Sequence, residues 1–188
     1  MFPFRKSVST LSDEQLVRDF ANPASRSRVF TEIMDRYKQR IYFHVRNIVV
    51  DHDDANDAAQ NTFIKVWENL SDFRGESKLF SWIYRIATNE ALTVLRKKRP
   101  HVSLEDALPE LVHTTSGLSS LSGDEISRRL EEAMSTLPLK QKLVFYLKYI
   151  EELSYEEISG ITETSEGALK ASYFHAVRKI EHQLNTQL

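Results

Sequence analysis

The chain has 188 residues, with only five glycines, five prolines and no cysteine, a composition that suits helices in one domain or two small ones rather than a turn-rich β fold. The absence of cysteine excludes disulfides, thiol catalysis and the usual zinc fingers, and it fits a reducing cytoplasm. No apolar run approaches a membrane span, and the basic start MFPFRKSVSTLSDEQ lacks the apolar stretch of a secretory signal.

A net charge of −2 looks wrong for a nucleic-acid binder, but the charges are sorted along the chain. Residues 1–99 carry 17 basic and 13 acidic side chains, and residues 127–188 carry 8 and 9. Between them stand Glu105, Asp106, Glu110, Asp124 and Glu125, with no Lys or Arg from Pro100 to Ile126. That stretch includes LPELVHTTSGLSSLSG, which has no periodicity and reads as a linker. The organisation expected is all-α, two small helical domains joined by a flexible acidic tether.

In chain order, Ser12 and Gln15 form a capping box that opens a short helix to about Phe20. Asn22-Pro23 reads as an N-cap followed by proline at the first helical position. The long amphipathic helix after it should bury Phe30, Ile33, Tyr37, Ile41, Val45 and Ile48. A third helix begins near Asp53 in DHDDANDAAQNTFIKVWENL. Ala59, Phe63, Val66 or Trp67, and Leu70 line one side of it, and Asp54, Asp57, Gln60, Asn61 and Lys65 the other. Acids in the first turn suit the helix dipole, so Asp54 and Asp57 need no partner to explain them.

The next stretch, FRGESKLFSWIYRIATNEALTVLRKKRP, opens with a loop in which Gly75 permits a tight bend. Ser77 is placed to cap the following helix, and Phe80, Ile83, Ile86, Ala87 and Leu95 can pack inward. Trp82, Arg85, Asn89, Thr93 and Arg96 recur at spacings of three or four on a different face, which runs on into Lys97, Lys98 and Arg99. Cations neutralise phosphates and aromatics stack on exposed bases, so this face suits single-stranded or opening DNA. The alternative is that Trp82 belongs to the core and the basic run merely ends a helix.

Near the C-terminus, LSYEEISGITETSEGALKASYFHAVRKIEHQL joins two helical patterns through Thr162, Glu163 and Thr164. Ser154 and Glu157 make a second capping box, and Ser165 can cap the second helix. Leu169, Tyr173, Ala176 and Ile180 share its buried face. Lys170, Ser172, Phe174, His175, Arg178 and Lys179 point away. This fits a helix-turn-helix DNA reader, with an ordinary helical hairpin as the alternative. No enzyme is visible: the six histidines have no metal-ligand spacing, there is no glycine-rich phosphate loop, and nothing assembles a nucleophilic triad. No metal or cofactor is expected.

Taken in this order, the motifs resemble the extracytoplasmic-function (ECF) group of bacterial sigma factors. DAAQNTFIKVW resembles the group's region 2.2, FRGESKLFSWIYRIATNEALTVLRKKR its regions 2.3 and 2.4, and LPLKQKLVFYLKYIEELSYEEISGITETSEGALKASYFHAVRKIE its region 4. The resemblance implies region 2 over residues 10–99, a linker over 100–126 and region 4 over 127–186. It implies docking of core RNA polymerase, whose β′ clamp meets Asp57, Gln60 and Asn61, with Phe63 and Trp67 in support, and whose β flap meets region 4. The loop Gly75, Glu76, Ser77, Lys78 and Leu79 resembles the one that receives a flipped base of the −10 element. Trp82, Arg85, Asn89 and Arg96 would hold the opening DNA beside it. Ser165, Lys170, Ser172, Phe174, His175 and Arg178 would meet the −35 element in the major groove.

The acidic tether would thread basic polymerase channels, and the protein would work in the cytoplasm. ECF sigma factors are commonly held inactive by an anti-sigma factor, and the sequence leaves open whether this chain has one.

Three residues depart from the group's pattern. Thr93 stands where Asp is frequent, Glu163 where the turn frequently has Gly, and Thr164 where an aliphatic is frequent. Glu163 is strained if the turn needs a positive φ. Ala171 and Ser172 also leave the recognition helix lightly charged. Two other readings remain at this point: a stand-alone helix-turn-helix regulator that binds duplex DNA without polymerase, and a helical adaptor with no nucleic-acid role.

Overall fold

The computed structural model describes residues 11–49, 51–98 and 125–186, and the expected linker lies outside them apart from its last two residues. Eight helices make up the first and second domains, and no strand occurs among the described residues. In the first domain these are α1 (Asp13–Phe20), α2 (Arg26–Ile48), α3 (His52–Asn69) and α4 (Leu79–Lys98). The second has α5 (Glu125–Ser135), α6 (Leu139–Phe145), α7 (Tyr155–Thr162) and α8 (Glu166–Thr186).

Local signals set most helix starts. The Ser12 hydroxyl accepts from the Gln15 amide at 3.2 Å, and Gln15 Oε1 accepts from the Ser12 amide at 2.8 Å. Asp51 caps α3 by accepting from the Asp53 and Asp54 amides at 2.9 and 3.0 Å, and these bonds, Asp54 first, hold its carboxyl below the usual range. Asn22-Pro23 does not start the long helix. Asn22 Oδ1 instead accepts from the Ala24 amide at 3.0 Å, and the Ser25 hydroxyl donates back to the Asp19 carbonyl at 2.7 Å. That link to the end of α1 closes a separate turn, so α2 begins at Arg26. Likewise α4 begins at Leu79, two residues beyond the expected cap Ser77.

Both domains bury continuous apolar stripes. Leu16, Phe20, Ile33, Ile41, Val45, Val66, Ile83, Tyr84 and Ala87 form the heart of the first, each at most 1% exposed. Met134, Leu137, Leu143, Leu147, Ile158, Ile161, Leu169 and Ala176 do the same for the second. Each of the larger aliphatic and aromatic side chains contributes about 2 kcal/mol on leaving water. Of the residues expected inward, Phe30, Ile86, Leu95 and Tyr173 are only half-buried.

One feature had no sequence signal. After α6 the chain makes a π turn over Tyr146–Ile150, with the Glu151 amide bonded to the Tyr146 carbonyl at 3.1 Å. Glu152 then takes a left-handed conformation, φ 56°. The π turn adds a residue to the helical repeat and so redirects the chain beyond it. It turns Glu151 toward the first domain, against which α6 and α7 pack.

Candidate nucleic-acid and partner surfaces

On the α2–α3 side of the first domain, Phe30, Met34, Gln60, Phe63, Ile64 and Trp67 line an apolar groove. Trp67 is fixed from behind. The Arg26 guanidinium lies 4.6 Å from the Phe20 ring centroid and 4.7 Å from that of Trp67, and donates to the Trp67 carbonyl at 3.2 Å. Phe20 and Phe30 meet the indole edge-on at 5.4 and 5.0 Å. Asp57, Gln60 and Asn61 are exposed along α3, whereas Phe63 is 7% exposed and belongs to the groove's floor.

Ile64, 47% exposed, is the residue that the sequence reading missed here. Its spacing from Asp57, Gln60 and Asn61 puts it on their helix face, and attention to that row would have found it. Asp54 stands apart, paired with Lys98 of α4, and Lys65 is paired with Glu90 at 2.6 Å.

Across the domain, the loop after α3 lies over a second cavity. Asp13, Val17, Phe73, Leu79 and Phe80 line it together with residues 75–78 of the loop. Leu79 is 2% exposed and anchors the loop; Gly75 to Lys78 are exposed. Gly75 has φ +73° with open space around it, so the backbone conformation, not crowding, calls for glycine. Asp13 is held by Arg36 and by the Tyr37 hydroxyl, each at 2.7 Å, which fixes the cavity's acidic edge. The result is an open cavity with an apolar floor and a polar rim.

The α4 face begins beside that cavity. The Trp82 ring sits 5.2 Å from that of Phe73, half-buried, with Arg85 half-buried and Asn89, Thr93 and Arg96 exposed. The Thr93 hydroxyl is spent on the Asn89 carbonyl at 2.8 Å. Trp82 and Arg85 share a cleft with Glu76, Ser77, Lys78 and, from the second domain, Ser154, Glu156, Glu157 and Gly160.

In the second domain, α7 and α8 form the expected helix-turn-helix. Ser154 and Glu157 make the capping box, with amide bonds of 3.2 and 2.8 Å. Glu163 closes the turn at φ 53°, ψ 33°, the left-handed conformation that costs a non-glycine residue about 1–2 kcal/mol. Ser165 caps α8 only loosely, its hydroxyl 3.5 Å from the Ala168 amide.

Along α8, Phe174 is 53% exposed beneath the Arg178 guanidinium, 4.8 Å from its centroid, with the His175 ring at 5.8 Å. Lys170 reaches Glu166 at 3.3 Å and lies 5.5 Å from the Tyr155 ring, and Ser172 is half-buried. Tyr149, 55% exposed and stacked on Phe145 at 5.1 Å, adds an aromatic surface that the sequence did not announce. The structure thus gathers the anticipated residues into three surfaces: the α2–α3 groove, the loop with α4, and α8.

Comparison with known proteins agrees with this geometry. Residues 33–101 match the family described as Sigma-70 region 2, and residues 121–180 match Sigma-70, region 4. The chain is 31% identical over 186 residues to the RNA polymerase sigma-H factor of Pseudomonas aeruginosa, covering 94% of this chain and 95% of that one. It is 32% identical over 169 residues to the ECF RNA polymerase sigma factor SigW of Bacillus subtilis, covering 82% and 88%. Among solved structures, CnrH in complex with the cytosolic domain of CnrY superposes with a TM-score of 0.68 at 19% identity, covering 94% of this chain and 99% of that one. The sigma factor RpoE of Bartonella quintana, in complex with the anti-sigma factor NepR, gives 0.64 at 20% identity, covering 83% and 96%.

Proposed function

The chain belongs to the ECF sigma factors of RNA polymerase, and from that premise we propose how its surfaces divide the work of transcription initiation. It is an alternative sigma factor that acts with core RNA polymerase at promoter DNA. No helix of the described residues is long and apolar enough to cross a membrane. We assign the cytoplasm as its place of work, and a role with no bond-making chemistry of its own.

The first domain, residues 10–99, takes the polymerase clamp in the α2–α3 groove. Ile64 and Trp67 supply apolar contact, and Asp57, Gln60 and Asn61 the polar edge. The cavity under Gly75–Leu79 takes one flipped base of the −10 non-template strand, and Trp82, Arg85, Asn89 and Arg96 hold the strand as it leaves the duplex. A base already out of the stack needs no further unstacking, a cost of a few kcal/mol, so a preformed pocket stabilises the melted state without any catalytic group. The second domain, residues 127–186, reads the −35 element. Arg178 and Lys170 meet phosphate or guanine, Ser165 the backbone, and Phe174, His175 and Ser172 the base edges and thymine methyls. Residues 100–126 connect the two.

The observation that carries this reading is the cavity under the Gly75–Leu79 loop, next to the cleft lined by Trp82 and Arg85 and on the same domain as a separate apolar groove. The two surfaces are separate, which supports one meeting a protein while the other meets a base. The test is run-off transcription from genomic fragments with purified core polymerase, with and without this protein, alongside gel filtration of the mixture. New discrete transcripts with co-elution are expected. Neither transcripts nor co-elution, together with tight duplex binding by the isolated protein, would move the stand-alone regulator to the front.

A further inference from the structure

Lys170, Phe174 and Arg178, three of the residues assigned to the −35 element, follow one another at intervals of four along α8. Side chains so spaced stack into a single ridge on a helix. Continued one turn back, the ridge begins with Glu166, the first residue of α8. Its carboxylate therefore shares the face of the assigned readers, at the end that a recognition helix directs toward base edges. The Glu166 side chain is 49% exposed, and beside it Gly167 leaves open space in which even a Cβ would touch nothing.

A carboxylate in the first turn suits the helix dipole, but on this face it also meets the negative field of the DNA phosphates. Only a donor on a base offsets that repulsion. Glu166 comes with a partner already in place: its Oε2 lies 3.3 Å from the Lys170 Nζ, and the same ammonium lies 5.5 Å from the Tyr155 ring centroid of α7. Further along, the Arg178 guanidinium lies 4.8 Å from the Phe174 ring centroid. The ridge thus presents an acceptor, a donor, an apolar ring and a second donor, in that order.

An acceptor and a donor 3.3 Å apart complement one base pair in particular. In the major groove a C·G pair sets the cytosine N4 donor next to the guanine O6 acceptor, about 2.9 Å away along the hydrogen bond that joins them. Guanine N7 adds a second acceptor on the ammonium's side. The other bases fit Glu166 worse. Thymine would turn its O4 acceptor toward the carboxylate, and guanine would turn two acceptors toward it. Adenine offers the N6 donor, but its N7 acceptor stands alongside. We propose that Glu166 and Lys170 together read one C·G base pair of the −35 element, Glu166 accepting from cytosine N4 and Lys170 donating to guanine. The inference rests on the assignment of α8 to that element. It gives a lightly charged reader its specificity through a carboxylate that rejects wrong bases, rather than through cations that hold any sequence.

The test uses the full chain with core polymerase on a mapped promoter, each base pair of its −35 element replaced in turn by the other three. Run-off transcription is measured from every template. Wild type should favour cytosine at one position by about tenfold over the other bases. Glu166→Gln should move the preference at that position alone to adenine, because an amide meets N6 and N7 at once. Glu166→Ala should flatten that position and leave the others as they were. Lys170→Met should lower discrimination at the same base pair. Both side chains are exposed, so the variants keep the fold.

Base profiles that are identical in wild type and both Glu166 variants overturn the inference, and so does a change shared equally by every template, which is what a carboxylate serving only the helix dipole would give. In either case a −35 profile that persists, and that Lys170→Met or Arg178→Ala alters, leaves α8 as the reader without Glu166. Templates that respond at no −35 position in any of these proteins, although transcription continues, overturn the assignment of α8 and the inference with it.

Discussion

The two surfaces proposed to face DNA are built in opposite ways. The α4 surface stands on a rigid aromatic floor: Tyr84 lies 4.1 Å from Phe80, Trp82 leans on Phe73, and Leu79 pins the loop. It is preformed. The α8 surface is open, carries few free cations because Lys170 is engaged with Glu166, and hangs on a turn held in a left-handed conformation by Glu163. The contrast teaches where specificity has been placed. Melting needs a pocket that does not move, whereas a lightly charged reader serves when polymerase holds it in position.

Four changes would break or sharpen that contrast, beginning with the groove on which both surfaces depend. Ile64→Asp puts a charge into apolar contact and should weaken co-elution with core polymerase about a hundredfold, with the fold intact because the residue is exposed. Unchanged co-elution would move the clamp site elsewhere. Trp82→Ala should slow open-complex formation about tenfold or more while polymerase binding stays within a factor of two, given about 1–3 kcal/mol per stacked base. Trp82→Phe should recover part of that loss. Melting at the wild-type rate would make Trp82 a packing residue only.

His44 reports on the rigid half through pH. Its Nε2 lies 2.8 Å from the Thr88 hydroxyl, whose own proton goes to the Tyr84 carbonyl at 2.8 Å, so Nε2 donates and the buried Nδ1 has no partner. Burial lowers its pKa to about 3. The folded form thus holds fewer protons than the unfolded form between about 3 and 6.5, so the contribution of neutral His44 is complete above 6.5 and fades as the solution is acidified. Unfolding free energy should fall by about 2 kcal/mol between pH 7 and 5, and the drop should shrink in His44→Phe. A pH-independent melting curve would show that the ring is not sealed.

The smallest effect is expected on the reader. Glu163→Gly should stabilise the protein by about 1 kcal/mol, seen as a higher unfolding temperature, because glycine takes the left-handed turn without a Cβ clash. No gain would mean that the turn relaxes around Glu163.

Much of this was legible in the residues. The capping boxes at Ser12 and Ser154 and most of the buried rows of α2 and α8 arise from local chemistry, which acts within a few residues. The features that escaped depend on contacts distant in sequence. Asn22-Pro23 carries a good helix-start signal, but the Ser25 hydroxyl is drawn to the Asp19 carbonyl and the helix begins later. The π turn has no glycine or proline to mark it. Glu151 looked like one surface acid among many, since its donors Arg40 and Tyr84 lie 111 and 67 residues away. Ile64 shares the helix face of Asp57, Gln60 and Asn61, but the sequence reading placed it on neither side.

The central claim is that this chain lets polymerase open DNA rather than merely bind it, and permanganate probing of thymines at a mapped promoter tests that most directly. With core polymerase and this protein together, thymines of the −10 element should become reactive while the −35 element stays paired and protected. The protein alone should leave no footprint. A strong −35 footprint without polymerase, or a −10 element that stays unreactive in a complex that transcribes nothing, would contradict the account.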